Sequence, residues 1–237
     1  MQQSGHNVVD LASSTDIAAN VRSIRDRIAV AAASAGRDPA EITLVAICKT
    51  FPPSLVVEAH RAGLRHFGEN RVQEAAEKIP GLSYLEPRPT WHMVGHLQTN
   101  KVKAALELFD FIESLDSVRL GQALARHAGG RRVPVLLEVN VSGEASKYGF
   151  TISELPEALR TLQGLPALEV KGLMTVAPMA QDLETVRPVF SRLRELRDRL
   201  GLRELSMGMT DDFGVAIQEG STMVRIGRAI FGARPQE

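Results

Sequence analysis

The sequence predicts one α/β domain folded as a (β/α)8 barrel of the TIM type, with an extra helix ahead of its first strand. Three observations predict it. Short apolar runs of strand length alternate with helical patterns along the chain, an order that makes the sheet parallel. The alternation supplies eight strands, the number at which such a sheet closes on itself. No Pro-, Gly- or Ser-rich linker divides the 237 residues, and a hydrophobic content of 44% suffices for one sizeable core. An open doubly wound sheet is the alternative that periodicity alone leaves standing.

Residues 1–14 are polar and read as a flexible tail, leaving 15–237 for the barrel. Ser14 or Thr15 can cap a first helix whose apolar positions Ile17, Val21, Ile24 and Ile28 keep helical spacing. Gly36 ends it and Asp38-Pro39 turns the chain. The run 42–48 is a buried strand. Helices are then expected at 54–62, 69–79, 100–108, 118–127, 153–162, 183–200 and 211–218. The strands between and after them are 64–68, 91–95, 111–114, 133–141, 168–176, 205–206 and 222–226.

Composition removes several classes of function. Lys+Arg and Asp+Glu are both 28, so the net charge is zero, and no basic excess is available to neutralise phosphates of a nucleic acid. Aromatic residues are 5%, too few for a base-stacking surface. The single cysteine, Cys48, excludes an intramolecular disulfide framework and a thiolate metal cluster. Neither a signal peptide nor an apolar run of about 18 residues is present. A cytoplasmic protein without nucleic-acid or membrane partners is the expectation.

Side-chain parity along the strands points to one mouth. Val45, Ile47 and Lys49 share a face, and so do Met223 and Arg225. In a barrel both cations stand near C-terminal strand ends, where barrel enzymes place their chemistry; the alternative for Lys49 is the start of a solvated loop. Two cations in one mouth suit an anionic ligand. Ser206-Met-Gly-Met-Thr-Asp-Asp212 runs from a strand into a helix, and its backbone amides offer an anion site. Gly227 after the last strand adds a second close approach of backbone, although both glycines can equally be simple turns.

Other motifs are missing: no G-x-G-x-x-G, no P-loop, no G-x-S-x-G elbow. His92 and His96 would share a face of one strand, but without companion ligands they read as core or loop residues rather than metal ligands. The Arg/Glu-rich stretch 187–203 reads as a solvated helix face. Cys48 points away from Lys49 and reads as a small core residue.

Several stretches carry a family likeness. They are Leu44-Val-Ala-Ile-Cys-Lys-Thr50, Phe67-Gly-Glu-Asn-Arg-Val-Gln-Glu74 and Trp91-His-Met-Val-Gly-His-Leu-Gln-Thr-Asn-Lys101. Val139-Asn-Val-Ser142 with Ser146, Lys147 and Gly149 follows, then Lys171-Gly-Leu-Met174 and Leu205-Ser-Met-Gly-Met209. Asp211-Asp212, Gly220-Ser-Thr-Met-Val-Arg-Ile-Gly227 and Ile230-Phe-Gly232 complete the set, in order from Ile17 to Gly232. With these the chain resembles the pyridoxal phosphate homeostasis proteins, the YggS-like family of single-domain barrels that bind pyridoxal 5'-phosphate (PLP). The resemblance implies a barrel like the N-terminal domain of alanine racemase, with PLP held as a Schiff base on Lys49. It implies further that Arg225 faces the pyridine nitrogen and that Asn70 lies near the ring. Ser206, the Met207, Gly208 and Met209 backbone and the Gly227–Arg228 backbone would receive the phosphate. The chain has Cys48 where many relatives have serine, and Arg228 where many have threonine. The second change removes a hydroxyl from the cradle and leaves a backbone N–H and a charge.

The implied function is PLP binding in vitamin B6 and amino-acid homeostasis without catalytic turnover, PLP-dependent apoenzymes being candidate partners. The alternatives are a PLP-dependent amino-acid racemase and an interaction protein that keeps PLP as a structural ligand. A racemase needs a base on each face of the substrate α-carbon. In the alanine racemases one is a tyrosine from a C-terminal β-domain, a part not expected in a chain that ends at Glu237 and holds only Tyr84 and Tyr148.

Overall fold

The structure, a computed structural model, describes residues 16–144, 147–180 and 182–233; the expected tail lies outside them. Helix α1 (Ile17–Ser34) is capped by Asp16, whose carboxylate accepts from Ala19 N at 2.8 Å. The expected caps Ser14 and Thr15 lie outside the described residues. Its apolar stripe Ile17, Val21, Ile24 and Ile28 is buried. Then come β1 (Thr43–Ile47), α2 (Pro53–Arg61), β2 (His66–Glu69), α3 (Val72–Lys78) and β3 (Thr90–Met93). The middle of the chain forms α4 (Val102–Leu108), β4 (Phe111–Leu115), α5 (Val118–His127), β5 (Val133–Glu138) and α6 (Leu155–Gln163). It closes with β6 (Leu168–Met174), α7 (Arg187–Arg199), β7 (Glu204–Ser206), α8 (Phe213–Gln218), β8 (Met223–Ile226) and α9 (Arg228–Phe231).

The eight strands close in sequence order into one barrel. Every pairing is parallel, including β8 with β1, where Val45 lies beside Arg225. The doubly wound alternative is therefore excluded. Helix α1 is less of an extra than its position in the sequence suggests. Helices α2 to α8 lie between successive strands, which leaves the slot after β8 to be filled. Helix α1 packs against α8, α9 and α2, and Asn20 Nδ2 donates to Ile230 O at 2.9 Å. It completes the outer ring over the β8–β1 seam.

Several boundaries differ from the periodic pattern for local reasons. Pro188 in the first turn of α7 starts that helix at Arg187, behind a short 3-10 turn at Leu183–Thr185. Strands β5 and β6 end at Glu138 and Met174, so the apolar residues beyond them become loop at the mouth. Helix α9 has no counterpart among the expected elements; it is one turn long, too short for a periodic signal. The main core lies between sheet and helices, with Ala46, Cys48, Phe67, Trp91, Leu173 and Ile226 facing it. The barrel interior is a second, partly polar region. Glu113 on β4 bonds to Ser206 on β7, a contact possible only across the interior.

Candidate functional site

Four neighbouring strand ends, in the order β7, β8, β1 and β2, carry the residues singled out in the sequence. Lys49 stands in the turn just after β1 and is half-buried. Cys48, on the other parity, is fully buried in the core. The turn is held from below: Lys78 Nζ donates to Cys48 O at 2.7 Å, to Glu69 at 2.5 Å and to Glu74 at 3.0 Å. The Glu74 carboxylate also accepts from Thr50 N. Thr50 has φ +67°, a left-handed conformation that a β-branched residue adopts only when its surroundings impose it. Lys49 is thus displayed by a turn with little freedom.

Asn70 follows β2 and is seated by Gly95, which follows β3. A Cβ on Gly95 would lie 2.4 Å from Asn70 O, so only glycine permits this approach. The second cation, Arg225, lies inside the barrel and is buried. Its guanidinium donates to Ser206 Oγ and, at 2.8 Å, to Thr175 O. Burial lowers the Arg225 pKa, while Glu113, Glu138 and Asp212 act to keep its charge.

The two glycine turns flank these cations. Ser206 is fully buried, and its hydroxyl is engaged by Arg225 and Glu113. Met207 N donates to Met223 O at 3.1 Å and Met209 N to Asp212 Oδ1 at 2.5 Å. Both amides are therefore used within the protein. Gly208 has φ +93°, and a Cβ there would strike Ala216 at 2.6 Å. Thr210, which belongs to the run 206–212 singled out in the sequence, is half-exposed in this loop and adds a hydroxyl at the same turn. Gly227 starts α9, and its missing Cβ makes room for Ile47 O at 3.2 Å. The N–H groups of Arg228 and Ala229 open the first turn of α9, where no carbonyl of the helix can reach them. The Arg228 side chain leaves the cradle, because its Nη2 binds both oxygens of Asp211 at 2.7 and 2.9 Å. That exposed pair ties the two turns together.

The rest of the mouth adds Glu138, which carried no sequence signal, and His96. Glu138 ends β5 with its carboxyl raised to about 7, by burial first and by Asp116 second. His96 is in the loop after β3, where it binds Asp116 at 2.7 Å and stacks on Tyr148 with ring centroids 3.9 Å apart. His92 is instead in the barrel interior on β3. The two histidines do not form one face, and among the described residues no group of three or more His, Cys, Asp or Glu is placed to hold a metal.

Taken together, an amine, a buried guanidinium and two backbone turns on neighbouring strand ends suit a small anionic ligand. The profile of the family "Alanine racemase, N-terminal domain" matches residues 14–235. A pyridoxal phosphate homeostasis protein of Pseudomonas aeruginosa is 46% identical, over 92% of this chain and 96% of its own length. The protein of that name from Escherichia coli K12 is 42% identical, over 92% and 97%. PipY of Synechococcus elongatus, solved with PLP bound, superposes with a TM-score of 0.80 at 36% identity, covering 91% of this chain and all of that one. An alanine racemase of Clostridium difficile shares the fold at a TM-score of 0.70 and 13% identity, over 94% of this chain and 58% of that one. The chain belongs to the pyridoxal phosphate homeostasis proteins, within the alanine racemase N-terminal domain family.

Proposed function

We propose that this barrel binds PLP as a Schiff base on Lys49 and serves intracellular B6 and amino-acid homeostasis as a carrier rather than a catalyst. The observation that carries the reading is the convergence of Lys49, Arg225 and the β7–α8 and β8–α9 turns at one mouth. The PLP-bound relative supports it. The Lys49 amine condenses with the aldehyde, with loss of one water. Arg225 faces the ring nitrogen and Asn70 lies beside the ring. The phosphate sits against the Gly208 and Thr210 side of one turn and the first amides of α9 at Arg228 and Ala229. Met207, Met209 and Gly227 shape that cradle, and Ser206 acts by holding Arg225. PLP-dependent apoenzymes in the cytoplasm are the class of partner such a carrier serves.

PLP, when bound, can stabilise negative charge at a substrate α-carbon. A guanidinium has no acceptor, so Arg225 leaves the ring nitrogen unprotonated and weakens that capacity. One observation favours the racemase reading: Glu138, poised near neutrality at the same mouth, could exchange a proton. Borohydride reduction of the loaded protein and peptide mapping should place the pyridoxyl group on Lys49, with the label lost in Lys49→Ala. Full labelling at another lysine in that variant refutes the assignment. The reduced and native proteins are then incubated with L-amino acids in deuterated water. Steady multiple turnovers of α-proton exchange, abolished by Lys49→Ala, would make the protein an enzyme.

A further inference from the structure

A continuous line of hydrogen bonds crosses the barrel interior and ends on Arg225. His66 Nδ1 is 3.0 Å from His92 Nε2, and His92 Nδ1 is 2.7 Å from Glu113 Oε1. The other carboxylate oxygen, Oε2, accepts from Ser206 Oγ at 2.5 Å, and Ser206 Oγ accepts from Arg225 Nη1. His92 and Glu113 are buried at 1% and 0% exposure. The residues come from β2, β3, β4, β7 and β8, so the line runs from one wall to the other.

We propose that Glu113 is the positioning residue of Arg225, acting through Ser206 and itself oriented by His92. This rests on the reading that Arg225 faces the ring nitrogen of PLP. The direction of each bond follows from chemistry. A guanidinium only donates and an ionised carboxylate only accepts, so the hydroxyl between them has a single orientation. Glu113 is ionised: burial alone would raise its pKa, but His92, Arg225 and Ser206 outweigh that and hold it below the ordinary carboxylate value. Its charge lies 4.0 Å from Arg225 and compensates the guanidinium from below. The charges of Glu138 and Asp212 also act on Arg225. Glu113 differs from them in being joined to it through a bridging hydroxyl. An apolar filling would generally serve a barrel interior at least as well for stability. The ordered polar line therefore answers a requirement of the mouth: one fixed arginine orientation and a partly neutralised charge.

The test compares wild type, Glu113→Gln and Ser206→Ala, each loaded with PLP, by the pH midpoint of the visible band and by PLP affinity. In Glu113→Gln the uncompensated guanidinium disfavours the protonated imine. The midpoint should fall by about half a unit to one unit, the size of a unit charge acting over roughly 10–20 Å at an effective dielectric constant near 20. Ser206→Ala keeps the carboxylate but cuts the bridge, and should weaken PLP binding by about tenfold, the usual scale for a lost charge-assisted bond. A wild-type midpoint in folded Glu113→Gln overturns the proposal. If that variant does not fold, wild-type affinity in Ser206→Ala overturns it. Borohydride labelling of wild-type Lys49 separates this from failure of the site reading: without that label the reading and the proposal are both withdrawn.

Discussion

At the scale of single residues, the mouth holds Glu138 well above the ordinary carboxylate range. Its carboxyl is raised to about 7, against about 4.3 in an unfolded chain. Between those values the folded protein binds the proton that the unfolded chain releases, so this group makes stability fall as pH rises from about 4.3 to 7. The size is about 3–4 kcal/mol. Glu138→Gln should remove that slope, and urea unfolding at pH 5 and pH 8 measures it; an unchanged slope refutes the raised pKa. His66 acts in the opposite sense. Its pKa is lowered to about 4 by burial first and then by His92, so stability falls as pH drops from about 6.5 to 4. The ring is only partly buried, and solvent screening limits this to about 1–2 kcal/mol. A carboxyl that destabilises the fold at neutral pH has its reason in the site, which is why Glu138 belongs among the residues to substitute in the exchange experiment.

At the scale of elements, the β1–α2 turn depends on a charge cluster assembled from β2 and α3. Lys78 and Glu69 are buried and 2.5 Å apart, and Cys48 Sγ lies 3.2 Å from the same carboxylate oxygen. Lys78→Met removes one partner and leaves an uncompensated buried carboxylate, a loss of about 3–5 kcal/mol. Adding Glu69→Gln should recover a large part of it, because the orphaned charge goes too. Denaturant midpoints of the two singles and the double decide this; strict additivity would show that the pair is not coupled. The sequence carries the strand, the helix and the lysine before the turn. It does not show that Lys78, reading as an ordinary helix cation, turns inward beneath Lys49. The same holds for the Arg/Glu-rich α7. Most of its charges do pair on the surface, yet Arg187 and Arg194 reach Glu219 beyond α8 at 2.9 and 3.1 Å.

At the scale of the whole molecule, the site is built where the barrel closes. Strands β7, β8, β1 and β2 bring the end of the chain to its beginning, and α1 seals that seam from outside. A ligand that bridges these strands should therefore stabilise the fold globally. PLP at about 100 times its Kd adds about 2.7 kcal/mol, a rise of roughly 5–10 °C in the melting temperature for a chain of this size. Pyridoxal at the same concentration lacks the charge-assisted bonds to the two turns and should give much less. Equal shifts for the two would remove the phosphate from the cradle. Gly227 is unsuited to that test, because a larger side chain there meets Ile47 O and disturbs the β8–β1 seam itself.

The sequence by itself determined eight strands alternating with helices in a parallel sheet, the faces on which Lys49 and Arg225 stand, and the two turns beside them. Each of these follows from local periodicity, from parity along a strand, or from small residues after a strand end. Only the tertiary structure decided that the sheet closes into a barrel and what each of those groups touches. Glu113 and Ser206 are 93 residues apart and meet because a closed barrel faces β4 toward β7. That contact places the Ser206 hydroxyl between Glu113 and Arg225. The pairing of Arg228 with Asp211, the burial of Glu138 and the placement of α1 in the eighth helical position have the same origin. Pattern along a chain records which face a side chain takes; a closed sheet brings distant faces together, and no local pattern records the partner.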